Sequence, residues 1–471
     1  MTAAQGVESY MTHLNTLLTP YIPPRETWNP ADKSLYQPLD PYRVPVEEAR
    51  EMQLNAIKFT FIRHYNNNYF YHKYCEMRNV RPDDIKTLDD FDKIPLIPDI
   101  TFKQYPSGKD FARWLASMFT GKLPTIIIKG SYPTYDEVIN AFNAAGMAIT
   151  YSSGTSGRCT IIPRDQKTFL AAECAVAKLT ASMTDHTDDH AHLLSADHTY
   201  LLSPNPKKTN LFIGKASSLS FDLIKDGDVQ YAMDREITIE LLQMAMSPKR
   251  GLKGKVISFV QNRTEQKMVD RTIQWLERHD RTKETIALSG PPFMLLSIMN
   301  ALRKDEKRFD FGERGMIVTG GGWKINEYAR VSHIDFKKQV QDVFGIPETH
   351  CLDIYGMCEG NGFMIQCPEG HYLHAPYTYY KPFVTDDDLM PIGYGEWGRF
   401  AFLDAIAQSY PGFIVLGDRA RLLERCPVCD RPGPVLDPEV KRATGEEVRG
   451  CGEELRRLLA QDLMSNRNDT S

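Results

Sequence analysis

Tyr151-Ser-Ser-Gly-Thr-Ser-Gly157 sets two glycines among small hydroxyl residues, between a strand-like lead-in at Ala148–Tyr151 and a second apolar run at Cys159–Ile162. Backbone amides and hydroxyls in such a loop can turn inward and donate to polyphosphate oxygens, with no bulky side chain in the way. A plain Ser/Gly turn is the alternative. No Gly-Lys-Ser/Thr follows, so this is not a Walker-type loop. Gly320-Gly321-Gly322-Trp323-Lys324 follows the apolar run Met316–Thr319, where glycines let a flat ligand approach the backbone. Tyr355-Gly356-Met357-Cys358-Glu359-Gly360 offers an aromatic wall for a base and a carboxylate able to hold Mg²⁺ against phosphate. Asp418, after Phe413–Gly417, can accept ribose hydroxyls, or simply sit in a β-turn.

A second group of residues has metal and thiol chemistry. Cys426-Pro-Val-Cys429 is a CxxC pair, and Cys367 lies upstream with His371 and His374. Two thiolates plus a Cys/His pair can complete a closed tetrahedral Zn²⁺ site. His374 is the expected fourth ligand and His371 the alternative; a redox CxxC or unpaired thiols would be the other outcomes. Cys451, within Arg449-Gly450-Cys451-Gly452, precedes an apolar stripe at Leu455, Leu458, Leu459 and Leu463. The stripe predicts a helix with the thiol at its N-terminus, where the dipole and Arg449 favour thiolate while Glu453 and Glu454 oppose it. An idle exposed cysteine is the alternative.

The elements that must hold these groups read as strand-helix alternation. Apolar or β-branched runs occur at Thr125–Ile128, Ala148–Tyr151, Tyr200–Leu202, Val256–Val260, Ile286–Leu288, Met316–Thr319 and Leu352–Tyr355. Helical stretches such as Thr238–Met246 and Lys267–His279 separate many of them. This predicts an α/β fold of layered, mostly parallel sheets. Three regions are expected: a mainly helical wrapping segment over 1–90, irregular and Pro-rich through 45; a core over 91–418; and a short C-terminal segment over 419–471 carrying the CxxC and Cys451. A net charge of −5, with acids and bases mixed, argues against a nucleic-acid protein. No apolar run reaches the ~18 residues of a membrane span, and the N-terminus does not read as a secretory signal. Nine cysteines in a chain expected to be cytoplasmic favour metal or thiol chemistry over a disulfide framework.

The order Ser-Ser-Gly-Thr-Ser-Gly, Gly-Gly-Gly-Trp-Lys, Tyr-Gly-Met-x-Glu, Gly-Asp resembles the adenylate-forming enzymes. Ile94-Pro-Leu-Ile-Pro98 with Phe102-Lys103, Arg164-Asp165, Gly370-His-Tyr, the CxxC and Arg449-Gly-Cys451 resemble more closely the acyl-protein synthetase branch, the synthetase of bacterial-luminescence fatty acid reductase. The likeness spans roughly residues 90 to 460, and the phenylacetate-CoA ligases are similar too. It implies attack of a carboxylate, a fatty acid in this branch, on the α-phosphate of ATP, then transfer of the acyl group. By motif, Ser152, Ser153, Gly154, Thr155, Ser156 and Gly157 would hold phosphates. Gly320, Gly321, Gly322, Tyr355, Gly356 and Cys358 would border the nucleotide, Glu359 would take Mg²⁺ and Asp418 the ribose. Thr155, Glu359 and Cys451 would be catalytic, with Phe293 and Trp323 as candidate acyl-pocket walls. Cys451 would carry a thioester to a partner, an acyl reductase or carrier protein. Cys358 stands where the family usually has Thr, and 53 residues follow Asp418 where CoA ligases carry a lid domain with a lysine. The alternatives are an acyl- or aryl-CoA ligase, a ligase delivering to an amine or carrier, and an ATP-binding scaffold without catalysis.

Overall fold

The structure is a computed structural model; it describes residues 3–154, 158–184, 196–223, 228–234, 236–246 and 251–442. The N-terminal third of the fold is built on helices. Ala3–Leu18 is a helix of 16 residues, longer than the short helices expected in a wrapping segment there. Pro30–Tyr36 starts from a capping box in which Asn29 and Asp32 satisfy each other's backbone amides. Val46–Asn67 buries Ala49, Ala56, Ile57 and Phe61. Its buried polar side chains fasten it to the sheet. Gln53 donates to the Tyr377 and Tyr380 carbonyls at 2.8 and 2.9 Å, and Thr60 donates to the Ala405 carbonyl at 2.7 Å.

Among the described residues, fourteen strands form one sheet and two form a separate hairpin. Asp228–Met233, His198–Pro204, Ile286–Gly290, Gly315–Gly320 and Cys351–Tyr355 are neighbours in that order and run parallel. The central strands Ile286–Gly290 and Gly315–Gly320 are mostly buried and apolar-rich, as a sheet covered on both faces requires. Beyond Cys351–Tyr355 the sheet turns antiparallel through Met364–Gln366, Leu373–His374, Val435–Leu436, Phe413–Leu423, Trp397–Asp404, Tyr380–Thr385 and Pro391–Ile392. The α/β expectation holds, with the correction that the sheet is mixed: five neighbouring strands run parallel, and most of the remaining pairings are antiparallel. Short connections let successive C-terminal strands fold back on one another, whereas the parallel half needs helical crossovers.

Two expected strands are absent. Thr125–Ile128 is irregular, with Ile127 73% exposed and no neighbouring strand to pair with. Val256–Val260 lies inside the long helix Gly251–His279, so its β-branched residues yield to the surrounding helical context. Among the described residues, no helix is long and apolar enough to cross a membrane.

Candidate active site

The C-terminal ends of the parallel strands open into a cavity of about 920 Å³, bordered by Pro204, Gly290, Gly320 and Tyr355. Ligands gather at this end of such sheets because the chain splays there into loops. The hairpin of Met147–Tyr151 and Ile161–Asp165 brings the serine-glycine loop to the same cavity. Ser152 is partly committed to shaping that loop. Its hydroxyl accepts from the Thr160 amide at 2.9 Å and the Gly154 amide at 3.4 Å. Ser153 and Gly154 also border the cavity. Thr155, Ser156 and Gly157 lie outside the described residues.

Opposite the loop, the two strand ends Gly320 and Tyr355 supply the walls. Gly321 and Gly322 have φ of 80° and 64°, a left-handed backbone that glycine adopts without strain. Phe293 and Trp323 both border the cavity. Trp323 also packs edge-on against Phe336, so it has a core role as well. The Tyr355 hydroxyl donates to Asp418 at 2.9 Å, linking the expected base wall to the expected ribose acceptor. Gly356 is required by packing: a Cβ there would meet Phe363 at 2.6 Å.

Glu359 is 5% exposed and accepts from the Thr160 hydroxyl at 2.7 Å. Burial raises its pKa, Lys103 pulls it back down and Asp99 raises it again. Lys103 forms a 2.5 Å ion pair with Asp99. Burial lowers its pKa, but Asp99, Glu359 and Asp418 outweigh that and the net shift is upward. Sequence reasoning assigned no role to Asp99, Lys103 or Thr160. Asp99 and Lys103 are placed by the parallel pairing of Ile97–Pro98 with Ile414–Val415, which delivers the following turn beside Gly417 and Asp418, and Thr160 by the hairpin, just before Ile161–Asp165. The resemblance carried by Phe102-Lys103 was the available signal.

Arg164 is fully buried and anchors the floor. Its guanidinium donates to Asn361 at 2.9 Å, Thr150 at 2.6 Å and the Cys358 carbonyl at 2.7 Å. It also lies 4.1 Å over the Phe212 ring. Arg164 therefore fixes the Cys358–Gly360 backbone that presents Glu359. The Cys358 thiol is pushed up to about 12 by burial, against the pull of Arg164, so it stays protonated.

Mg²⁺ fits this donor set. Asp99, Glu359 and Asp418 outnumber the ammonium they share, and Mg²⁺ takes one or two carboxylates with phosphate oxygens.

Cys367, His374, Cys426 and Cys429 converge at the other end of the antiparallel strands, with all four ligand atoms within 4.8 Å of one another. Cys367 follows Met364–Gln366, His374 ends Leu373–His374, and the CxxC joins Phe413–Leu423 to Val435–Leu436. These strands are neighbours, so pairing alone gathers the ligands. The Cys367–Cys426 sulfurs are 3.9 Å apart, and Cys429 sulfur lies 3.3 Å from His374 Nε2. A tetrahedral ion with bonds of about 2.3 Å to S and 2.0 Å to N would set these near 3.8 and 3.5 Å. The set fits Zn²⁺. Hydrogen bonds from Cys367 and His374 lower the pKa of the Cys429 thiol, while that of Cys367 is raised. His371 stands apart from this cluster at φ 59°, its ring held down to about 3 by burial and the charge of Lys337. Cys451 lies outside the described residues.

The comparisons with known proteins agree with the motifs. The profile of the family described as "Acyl-protein synthetase, LuxE" matches residues 256–460. The chain is similar to a long-chain-fatty-acid–luciferin-component ligase of Aliivibrio fischeri, 24% identical over 88% of this chain and 91% of that one. A protein of the same name from Vibrio harveyi is 24% identical over 87% and 89%. Among solved structures, 2-hydroxyisobutyryl-CoA ligase in complex with 2-HIB-AMP and CoA aligns at TM-score 0.56 and 16% identity, covering 90% of this chain and 80% of that one. The chain thus shares the fold of 2-hydroxyisobutyryl-CoA ligase, and the resemblance to the acyl-protein synthetases is borne out.

Proposed function

Taking the chain as a ligase of acyl-protein synthetase type, we propose that it activates a fatty acid with ATP and passes the acyl group through Cys451 to a partner. The observation that carries the reading is the convergence of the serine-glycine loop, Lys103, Glu359 and the Tyr355–Asp418 pair on one cavity. A carboxylate oxygen attacks the α-phosphorus, the bond to the bridging oxygen of the β-phosphate breaks, and pyrophosphate leaves. Lys103 neutralises charge on the phosphate oxygens, and the loop amides hold the departing groups. Tyr355 and Asp418 orient the nucleoside, which converts a bimolecular encounter into a positioned one. Mg²⁺, held by Glu359, would supply further charge neutralisation at phosphate. Zn²⁺ at Cys367, His374, Cys426 and Cys429 would be structural, tying three strand connections together.

In the second step the Cys451 sulfur attacks the acyl carbonyl. The carbon–oxygen bond to AMP breaks, AMP leaves, and the thiol proton passes to solvent. The described chain supports this geometry of transfer. Lys441–Arg442 pairs with Asp418–Arg419, so the backbone leaves beside the proposed ribose site. Cys451 follows nine positions later, an extended reach of up to about 30 Å. The thioester would then pass to a cytoplasmic acyl reductase or carrier protein.

The test compares wild type with Cys451→Ala, each incubated with ATP, Mg²⁺ and long-chain acids, and read by intact mass. A hydroxylamine-labile acyl adduct on wild type alone supports the relay. CoA-dependent AMP release by Cys451→Ala supports instead an acyl-CoA ligase, the reading favoured by the fold shared with 2-hydroxyisobutyryl-CoA ligase.

A further inference from the structure

The N-terminal ends of the parallel strands carry a second group of metal-binding side chains, remote from the cavity. His198 opens the strand His198–Pro204, whose last residue borders the cavity. Seven residues of strand put about 20 Å between the two ends. His279 closes the long helix Gly251–His279, and Glu284 stands just before Ile286–Gly290. The ligand atoms of His198, His279 and Glu284 all lie within 4.8 Å of one another. His198 Nε2 is 3.1 Å from a Glu284 oxygen, and its Nδ1 is 3.8 Å from Asp228. The two imidazole rings lie with centroids 4.0 Å apart, tilted 35° to one another.

Two observations set this group apart from an ordinary surface ion pair. His279 is 9% exposed, and its Nδ1 has no hydrogen-bond partner; the buried Nδ1 of His198 has none either. Buried imidazole nitrogens without partners are costly, and a bound cation satisfies lone pairs that no protein donor reaches. The backbone that carries the ligands is also held in place. Arg314 donates to the carbonyls of His279, Asp280 and Glu284 at 3.3, 3.0 and 3.2 Å. Asp197 accepts from the Thr285 amide at 2.7 Å, and the His198 amide donates to the Thr285 carbonyl at 3.1 Å. The three ligands thus come from elements already locked to one another.

We propose that His198, His279 and Glu284 form a divalent transition-metal site, occupied by Zn²⁺, with Asp228 or water completing the sphere. Two neutral imidazoles and a carboxylate are a borderline donor set suited to this ion. Closing on it needs the ligand atoms, now within 4.8 Å of one another, to draw in and the two rings to turn towards one ion. The site would staple the end of the long helix to the sheet. It does not touch the proposed adenylation machinery, so its role would be structural.

The experiment uses the full chain and Zn²⁺ alone as probe. Wild type, His198→Asn and Glu284→Gln are compared by metal analysis and titration calorimetry, with the Cys367/His374/Cys426/Cys429 cluster unchanged in all three. Wild type is expected to bind one more Zn²⁺ per chain, or to bind it more than about ten-fold tighter, than either variant. Zn²⁺ should raise the thermal midpoint of wild type more than that of the variants. Equal stoichiometry and affinity in all three proteins would overturn the assignment. Glu284 is half exposed, so Glu284→Gln keeps the test open if the histidine variant folds poorly.

Discussion

Replacing Lys103 with Met removes the ammonium that faces Asp99, Glu359 and Asp418 and keeps most of the side-chain volume. Two effects follow. At the reaction centre, a cation about 4 Å from the developing phosphate charge, in surroundings of effective dielectric about 20, is worth up to about 4 kcal/mol. Removal of one preorganised charge-stabilising donor commonly costs about 10²- to 10³-fold in rate. Lys103→Met should therefore lower acid-dependent pyrophosphate release by that factor. In the folded state, Glu359 already has a raised pKa with Lys103 present. Without it, Glu359 holds its proton to higher pH still than the unfolded chain does. A carboxyl with a folded pKa above its unfolded value loses stability as pH rises through that window. The variant's thermal midpoint should fall relative to wild type as pH rises from the ordinary carboxylate range towards neutrality. The assay is pyrophosphate release with a long-chain acid, alongside calorimetry across pH. Release within about three-fold of wild type by a well-folded variant would refute the role given to Lys103.

Gly356→Ala should cost about 1–3 kcal/mol and slow pyrophosphate release, because the new methyl meets Phe363. Adding Phe363→Leu should restore much of both, read by denaturation and rate. Glu173, in the helix Gln166–Thr184, is pushed up to about 8 by burial, against the pull of Lys215. The folded chain keeps a proton that the unfolded chain releases, so stability drains as pH rises from the ordinary glutamate range to about 8. Glu173→Gln should gain about 2–4 kcal/mol on wild type across that window, and parallel pH profiles would refute it. Cys429→Ser should lose the Zn²⁺ held by the cysteine cluster and lower the thermal midpoint; metal content and scanning calorimetry decide.

The sequence by itself determined the chemistry on offer. Ser152–Gly154, Gly320–Gly322, Tyr355–Glu359 and Asp418 were legible because each follows an apolar strand and combines glycine with a donor or acid, a local pattern that needs no tertiary context. The CxxC and its upstream partners were legible from spacing for the same reason. Tertiary structure decided what local pattern cannot encode. It separated His374 from His371 by pairing Leu373–His374 with Val435–Leu436, beside the loop that carries Cys429. It brought Lys103 to Glu359 across more than half the chain through the two-residue pairing at Ile97–Pro98. It also placed Arg164 under the Cys358–Gly360 turn, where a buried cation is tolerable because its hydrogen bonds are met by groups distant in sequence. Val256–Val260 had strand composition and lies in the long helix, because a β preference of about 1 kcal/mol depends on context and does not decide the element alone. Sequence names groups by type, and only the register of strands and the burial around them fixes which groups face one another.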